Sequence, residues 1–130
     1  MLEVNPNPQT PILPVGSFSA ATAGGTTSGT VASMARALAA EPLISSDELL
    51  IDLRANPGGH FPSGVEAAKL FLPADATVVS TVDRSGNLSP ILTFSAGAYA
   101  SSTRSGRRIY VLVDRGTASG KAVCHTYAYM

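Results

Sequence analysis

The sequence has no tryptophan, a single cysteine (Cys124), and nine basic side chains against nine acidic ones. A lone cysteine excludes an internal disulfide and leaves the redox compartment undetermined. Cancelled charge means that no overall field draws nucleic acid or an anionic membrane surface, so neither is expected as a partner. The local cluster Arg104, Arg107 and Arg108 reads as a solvated strand edge. No run approaches the ~20 apolar residues that cross a bilayer. Met1 is not followed by a charged and then apolar leader, so no targeting segment is expected in the chain. Histidines, cysteine and carboxylates nowhere take metal-ligand spacing, since Cys124 and His125 are adjacent and isolated; no metal or cofactor is expected.

What is present suits one domain, because a chain of 130 residues can bury roughly two-thirds of its extended surface around one core. Pro6, Pro8, Pro11 and Pro14 forbid a helix, so residues 1–14 read as an extended lead-in, a linker or an edge segment, and residues 15–130 as the domain. Val15 to Ala20 reads as a short strand and Gly24 to Gly29 as a loop. Val31, Met34, Ala35 and Leu38 have helical spacing, and Pro42 stops the helix. Leu49 to Leu53 reads as a central strand, with Asp52 and Arg54 as a strand-end ion pair. Ser63 is a candidate cap for a helix carrying Val65, Ala68, Phe71 and Leu72, which ends by Pro73. Thr77 to Val82 and Ile91 to Phe94 flank the turn Asp83 to Asn87, a hairpin pattern. Residues 95–106 are small and polar apart from Tyr99 and read as an exposed connection, and Arg108 to Val113 reads as a second central strand. Strands alternating with helices predict an α/β layer structure.

Two stretches carry the chemistry. Leu49 to Phe61 and Ile109 to Gly120 each begin as an apolar run and end in small residues, the pattern of a buried strand delivering a tight loop. In Asn56-Pro57-Gly58-Gly59 the proline fixes one φ and the glycines free the next two residues, so bare N–H groups can turn toward a ligand. Gly116-Thr117-Ala118-Ser119 ends on a hydroxyl. A hydroxyl facing a donor-rich turn suggests acyl transfer.

This pair of motifs resembles the C-terminal processing peptidases, or tail-specific proteases, serine endopeptidases with a lysine base. Asp52 to Gly59 matches the family's DLRxNPGG-like segment and Gly116 to Ser119 its nucleophile segment, while Phe61-Pro62-Ser63-Gly64-Val65 is similar to the chloroplast and cyanobacterial branch that processes a photosystem II protein. The resemblance implies a ClpP/crotonase-like β-β-α layered fold, truncated at the C-terminus and without the family's PDZ domain. It implies Ser119 as nucleophile, with the N–H groups of Gly59 and Gly120 as oxyanion donors. The implied partner is a polypeptide cut near its C-terminus, and the implied location is extracytoplasmic, in a bacterial envelope or thylakoid lumen.

A serine hydroxyl needs a base to take its proton. The resemblance implies a buried lysine some two dozen residues beyond Ser119, past the last residue of this chain. Lys121 is two positions from Ser119 and reads as solvated. His60, oriented by Asp52 or Asp114, is the remaining arrangement to weigh, and nothing in the spacing selects it. A phosphate-binding loop fails because Arg115 and Ala122 stand where it needs glycine and a hydroxyl, and a hydrolase elbow fails because Thr117 and Lys121 flank Ser119 at the glycine positions. Gly120 weakens the helix expected after Ser119. The alternative reading is a catalytically dead remnant of the same fold, either purely structural or holding an extended peptide by backbone pairing.

Overall fold

The computed structural model describes residues 7–21, 29–100 and 106–118. Its elements run β1 (Ile12–Pro14), α1 (Thr30–Leu38), β2 (Glu48–Asp52), α2 (Phe61–Lys69), β3 (Thr77–Val82), β4 (Leu88–Leu92) and β5 (Arg108–Leu112). Strands β1, β2 and β5 form a parallel sheet in that spatial order, with Ile12 beside Leu50 and Ile51 beside Val111. A parallel strand covered on both faces needs a continuous apolar run, which Leu49-Leu50-Ile51 supplies. Both crossovers advance in the same direction across the sheet, so right-handed connections put α1 and α2 on one face, where the two helices pack together. Met34 and Leu38 of α1 and Ala67 of α2 meet Leu13, Leu49, Ile51 and Leu53 there in the main core.

The antiparallel pair of β3 and β4 stands apart from this sheet. A smaller cluster of Val65, Ala68, Leu72 and Val78 joins it to α2. Thr93 secures its base: the buried hydroxyl donates to the carbonyl of Pro73 at 2.7 Å and accepts from the N–H of Ala76 at 2.9 Å.

Several expectations are corrected. Val15 to Ala20 is not a strand and contributes only an isolated bridge at Phe18; the strand is β1, which lies at the edge of the sheet among the described residues, within the stretch read as an extended linker or edge segment. The prolines permit this because Pro11 serves as an acceptor from Leu50 N–H (3.0 Å) and the donor to Asp52 O is Val15 (2.9 Å). Ladder alternation leaves the nitrogen of Pro14 on the outer edge, where no donor is needed. Strand β5 flanks the middle strand β2; among the described residues it is an edge of the sheet. Ser63 is not a cap. Helix α2 begins at Phe61 after His60, and Ser63 is buried in its first turn with its hydroxyl 2.8 Å from His60 Nδ1.

The segment after Ser95 is not an exposed connection throughout, since Tyr99 is buried. Its ring meets Phe71 edge-on at 5.5 Å, and its N–H donates to Leu70 O at 3.0 Å. The arginines do not form a free solvated edge either: Arg107 stacks on Tyr99 and donates to Ile44 O, and Arg108 pairs with Glu48. Arg104 lies outside the described residues.

Candidate active site

Parallel neighbours end on the same side of a sheet, so β2 and β5 deliver their following loops next to each other. The ladder continues one step past both strands as Leu53 N–H donates to Leu112 O at 2.9 Å. Three further bonds then stitch loop to loop. Ala55 N–H donates to Asp114 Oδ1 at 2.9 Å, the Thr117 hydroxyl donates to Leu53 O at 2.8 Å, and Ala118 N–H donates to Asn56 O at 2.9 Å. Gly116 allows the approach, since a side-chain carbon there would come within 3.1 Å of Ala55 Cα.

Asp114 organises the second loop. Its Oδ1 also accepts from Gly116 N–H at 2.9 Å and lies 3.1 Å from the Thr117 hydroxyl, which in turn accepts from Asp114 N–H at 2.9 Å. The Ala55 N–H, more than any other partner, holds the Asp114 carboxyl below the usual aspartate range; partial burial opposes this, and the Thr117 hydroxyl and the neighbouring amides add to it. Asp52 is likewise held low, by the Arg54 guanidinium that grips it at 2.9 and 2.7 Å. It forms the strand-end ion pair.

The first loop is built on Asn56, which is 1% exposed. Its side-chain amide donates to Val15 O at 2.7 Å, while its Oδ1 accepts from Gly58 N–H at 2.7 Å. The same residue thus ties the loop to the segment after β1, closes a turn on itself, and receives Ala118 through its main-chain carbonyl.

Gly58 and Gly59 adopt φ of 100° and 137°, where a side chain is strained. A carbon added to Gly59 would stand 2.1 Å from Phe18 O. Phe18 donates to Gly58 O at 2.9 Å and accepts from His60 N–H at 2.7 Å, the pattern of a parallel bridge centred on Gly59. Such a bridge uses both groups of Phe18 and neither group of Gly59, whose N–H and C=O are therefore directed away from Phe18. Gly58 N–H is spent on Asn56, whereas Gly59 is exposed.

His60 follows directly and caps α2 without a side-chain bond to the helix backbone. Its Nδ1 faces Ser63, and the bonds of Asp52 and Asp114 described above go elsewhere, so neither aspartate orients this imidazole. Ser119 and Gly120 lie outside the described residues, as do Lys121, Cys124 and His125. Among the described residues no cluster of histidine, cysteine and carboxylate could hold a metal ion, and no helix is long and apolar enough to cross a membrane.

Sequence reasoning took Asn56 as part of a glycine turn and missed its buried side chain. The signal was available, because asparagine before Pro-Gly is a strong turn former that bonds two residues on. Thr117 as a donor back to Leu53 has no such local signal.

A model of peptidase family S41 matches residues 12–125. A carboxyl-terminal-processing protease of Synechocystis is 38% identical over 78 residues, covering 60% of this chain and 17% of that protein. The chloroplastic carboxyl-terminal-processing peptidase 3 of Arabidopsis thaliana is 38% identical over 74 residues, covering 57% of this chain and 13% of the relative. The chain therefore spans less than a fifth of these relatives' length. In structure it is similar to a photosystem II D1 C-terminal processing protease, with a TM-score of 0.69 at 24% identity over 88% of this chain and 26% of that one.

Proposed function

The chain belongs to peptidase family S41, and from that premise we propose that it is the nucleophile-bearing part of a serine endopeptidase that cuts polypeptides near their C-termini. The reading assigns Ser119 as nucleophile and the N–H groups of Gly59 and Gly120 as oxyanion donors on a ClpP/crotonase-like framework. The bond from Ala118 N–H to Asn56 O carries it: the residue immediately before Ser119 is tied to the turn that holds Gly59.

Chemically, the Ser119 oxygen would attack a peptide carbonyl as a base takes its proton, and negative charge would gather on the former carbonyl oxygen. Main-chain N–H groups fixed in advance stabilise that charge, each worth on the order of 3 kcal/mol of barrier. Expulsion of the amine, which receives the proton, leaves an acyl-serine that water then hydrolyses. The exposed, outward-turned Gly59 amide supports its role, and the glycine is required there because any side chain would strike Phe18 O. The base is assigned to a lysine outside this stretch, since among the described residues no carboxylate is bonded to His60. As the relatives' names suggest, the substrate is a protein with a processed C-terminus; the chloroplast relative supports an extracytoplasmic, organellar or envelope setting.

The edge at Gly59 that faces away from Phe18, exposed among the described residues, also favours a second reading, in which the same groups hold an extended peptide without cutting it. Labelling with a fluorophosphonate probe separates the two. Stoichiometric modification of the wild-type chain, abolished in Ser119→Ala, is the expected result. An unlabelled wild type that still binds a peptide would select the second reading, and equal labelling of Ser119→Ala would overturn the assignment.

A further inference from the structure

Strands β3 and β4 make a sheet of their own, with no third strand beside them among the described residues. A lone hairpin is marginal in water and gains from a third strand. Past Val79 and Ile91 this one leaves the cluster on α2: Ser80, Thr81, Val82, Leu88, Ser89 and Pro90 are all exposed, Val82 at 64% and Leu88 at 69%. The pairing shows which main-chain groups it leaves unused. Asp83 N–H donates to Asn87 O at 3.1 Å. Antiparallel alternation then makes Thr81 and Ser89 the next bonded pair, and leaves Val82 with Leu88 and Ser80 with Pro90 as pairs that exchange no bonds. Pro90, which has no N–H to give, stands where the ladder asks for none. The N–H and C=O groups of Ser80 and Val82 therefore point off the outer side of β3. Between Thr77 and Val82 that strand has no proline and no charged side chain, the devices that keep an edge from pairing, whereas the outer side of β4 lacks a donor at Pro90.

We propose that the outer edge of β3 is an interface between two copies of this chain, joined antiparallel across a two-fold axis at Thr81. In that register Ser80 of one copy lies opposite Val82 of the other, and each of the two symmetry-related pairs exchanges both main-chain bonds, so every unused group of Ser80 and Val82 finds a partner. Moving the axis to Ser80 would set Val82 against Val78, where the register of β3 shifts, and break the ladder. Thr81 meets its counterpart directly, a favourable cross-strand pair. The result is one sheet in the order β4-β3-β3-β4. A second copy suits this edge in charge as well. Nine basic and nine acidic residues cancel, so two copies approach without net repulsion. Asp83 and Arg84 fall opposite Val79 and Val78 of the other copy rather than opposite like charges, and the Asp83 carboxylate is already turned inward, accepting from the Ser85 and Asn87 N–H groups and the Asn87 side-chain amide. An unrelated extended peptide could use the same main-chain groups, but no charged side chain of β3 would select it. The hairpin leaves from the end of α2, whereas the peptidase loops follow β2 and β5, so the interface stands or falls independently of the peptidase reading.

Sedimentation velocity of the full chain over a wide concentration range tests the proposal, and a reversible monomer to dimer equilibrium is expected. Ser80→Pro removes an outward N–H while sparing the bonds between β3 and β4, and should weaken the dimer about tenfold or more. Cross-linking then locates the axis. With Cys124→Ser as background, Thr81→Cys should give a disulfide-linked dimer on mild oxidation, because directly opposed residues of a non-bonded antiparallel pair lie within disulfide reach. Ser89→Cys, equally exposed but on the far strand, should stay monomeric. If Ser80→Pro fails to fold, the contrast between Thr81→Cys and Ser89→Cys still decides. A chain that remains monomeric throughout, a dimer unchanged in a folded Ser80→Pro, or equal cross-linking at the two cysteine positions would overturn the interface. Protection of Ser80 and Val82 amides from exchange by an added extended peptide, without self-association, would overturn it in favour of a peptide-binding edge.

Discussion

Replacing Asn56 should damage the architecture far more than an exposed turn residue would. Asn56→Ala removes a buried donor from Val15 O and a buried acceptor from Gly58 N–H, each at 2.7 Å. Leaving a buried polar group unpaired costs about 1–3 kcal/mol, so two such groups give roughly 2–6. Water can reach the turn through the exposed Gly59, which places the expected loss near the lower half of that range, about 3 kcal/mol. For a chain of this length that is a fall in Tm of roughly 10–15 °C. Asn56→Asp sharpens the test. It keeps the acceptor for Gly58 but turns an oxygen without a proton toward Val15 O, in a site that disfavours charge and so raises the carboxyl's folded pKa. Its defect should then be largest at neutral pH and shrink as pH falls through that raised value, when the protonated carboxyl can donate again. Thermal melts by circular dichroism from pH 4 to 8, with amide exchange at Gly58, measure both. A loss below about 1 kcal/mol for Asn56→Ala would refute the clamp, as would an Asn56→Asp defect independent of pH.

The remaining expectations concern the same two loops. Gly59→Ala should cost about 3 kcal/mol, because its new carbon meets Phe18 O at 2.1 Å and must also sit at a φ of 137°; chemical denaturation at an unchanged m-value would show it, and a wild-type midpoint would contradict the close approach. Thr117→Val should lose about 1–3 kcal/mol by orphaning Asp114 N–H and leaving Leu53 O with Asn56 N–H as its remaining donor, with faster amide exchange at Asp114. Because Asp114 titrates lower folded than unfolded, its contribution is fully present above the ordinary aspartate pKa of about 3.9 and is lost as pH falls through the folded value. The stability difference between wild type and Asp114→Asn should accordingly be flat from pH 5 to 8 and shift only below about pH 4, and a change centred near neutrality would show another group at work. Ala55 holds a φ of 56°, so Ala55→Gly should be neutral or stabilising by up to about 1 kcal/mol, measured by the same denaturation.

The sequence by itself determined the local pieces. The run Leu49 to Ile51 has the pattern of a buried strand, Met34 and Leu38 that of an inward helix stripe, and Asn56-Pro57-Gly58-Gly59 that of a tight turn rich in bare amides, because each is set by neighbours a few residues away. Its two motifs were enough to point to the peptidase family. Tertiary structure alone decided what those pieces touch. Asp114 reaches Ala55 across 59 residues, Thr117 reaches Leu53 across 64, and Asn56 reaches Val15 across 41. Bonds of that span leave no periodicity in the chain; they exist because parallel strands must be joined by long crossovers and therefore bring distant loops out on the same edge. The same reason explains Pro14 inside a strand and Tyr99 inside the core: a proline is tolerated only once the outer side of β1 is known, and an aromatic ring among small polar residues is buried only once Phe71 and Arg107 stand beside it.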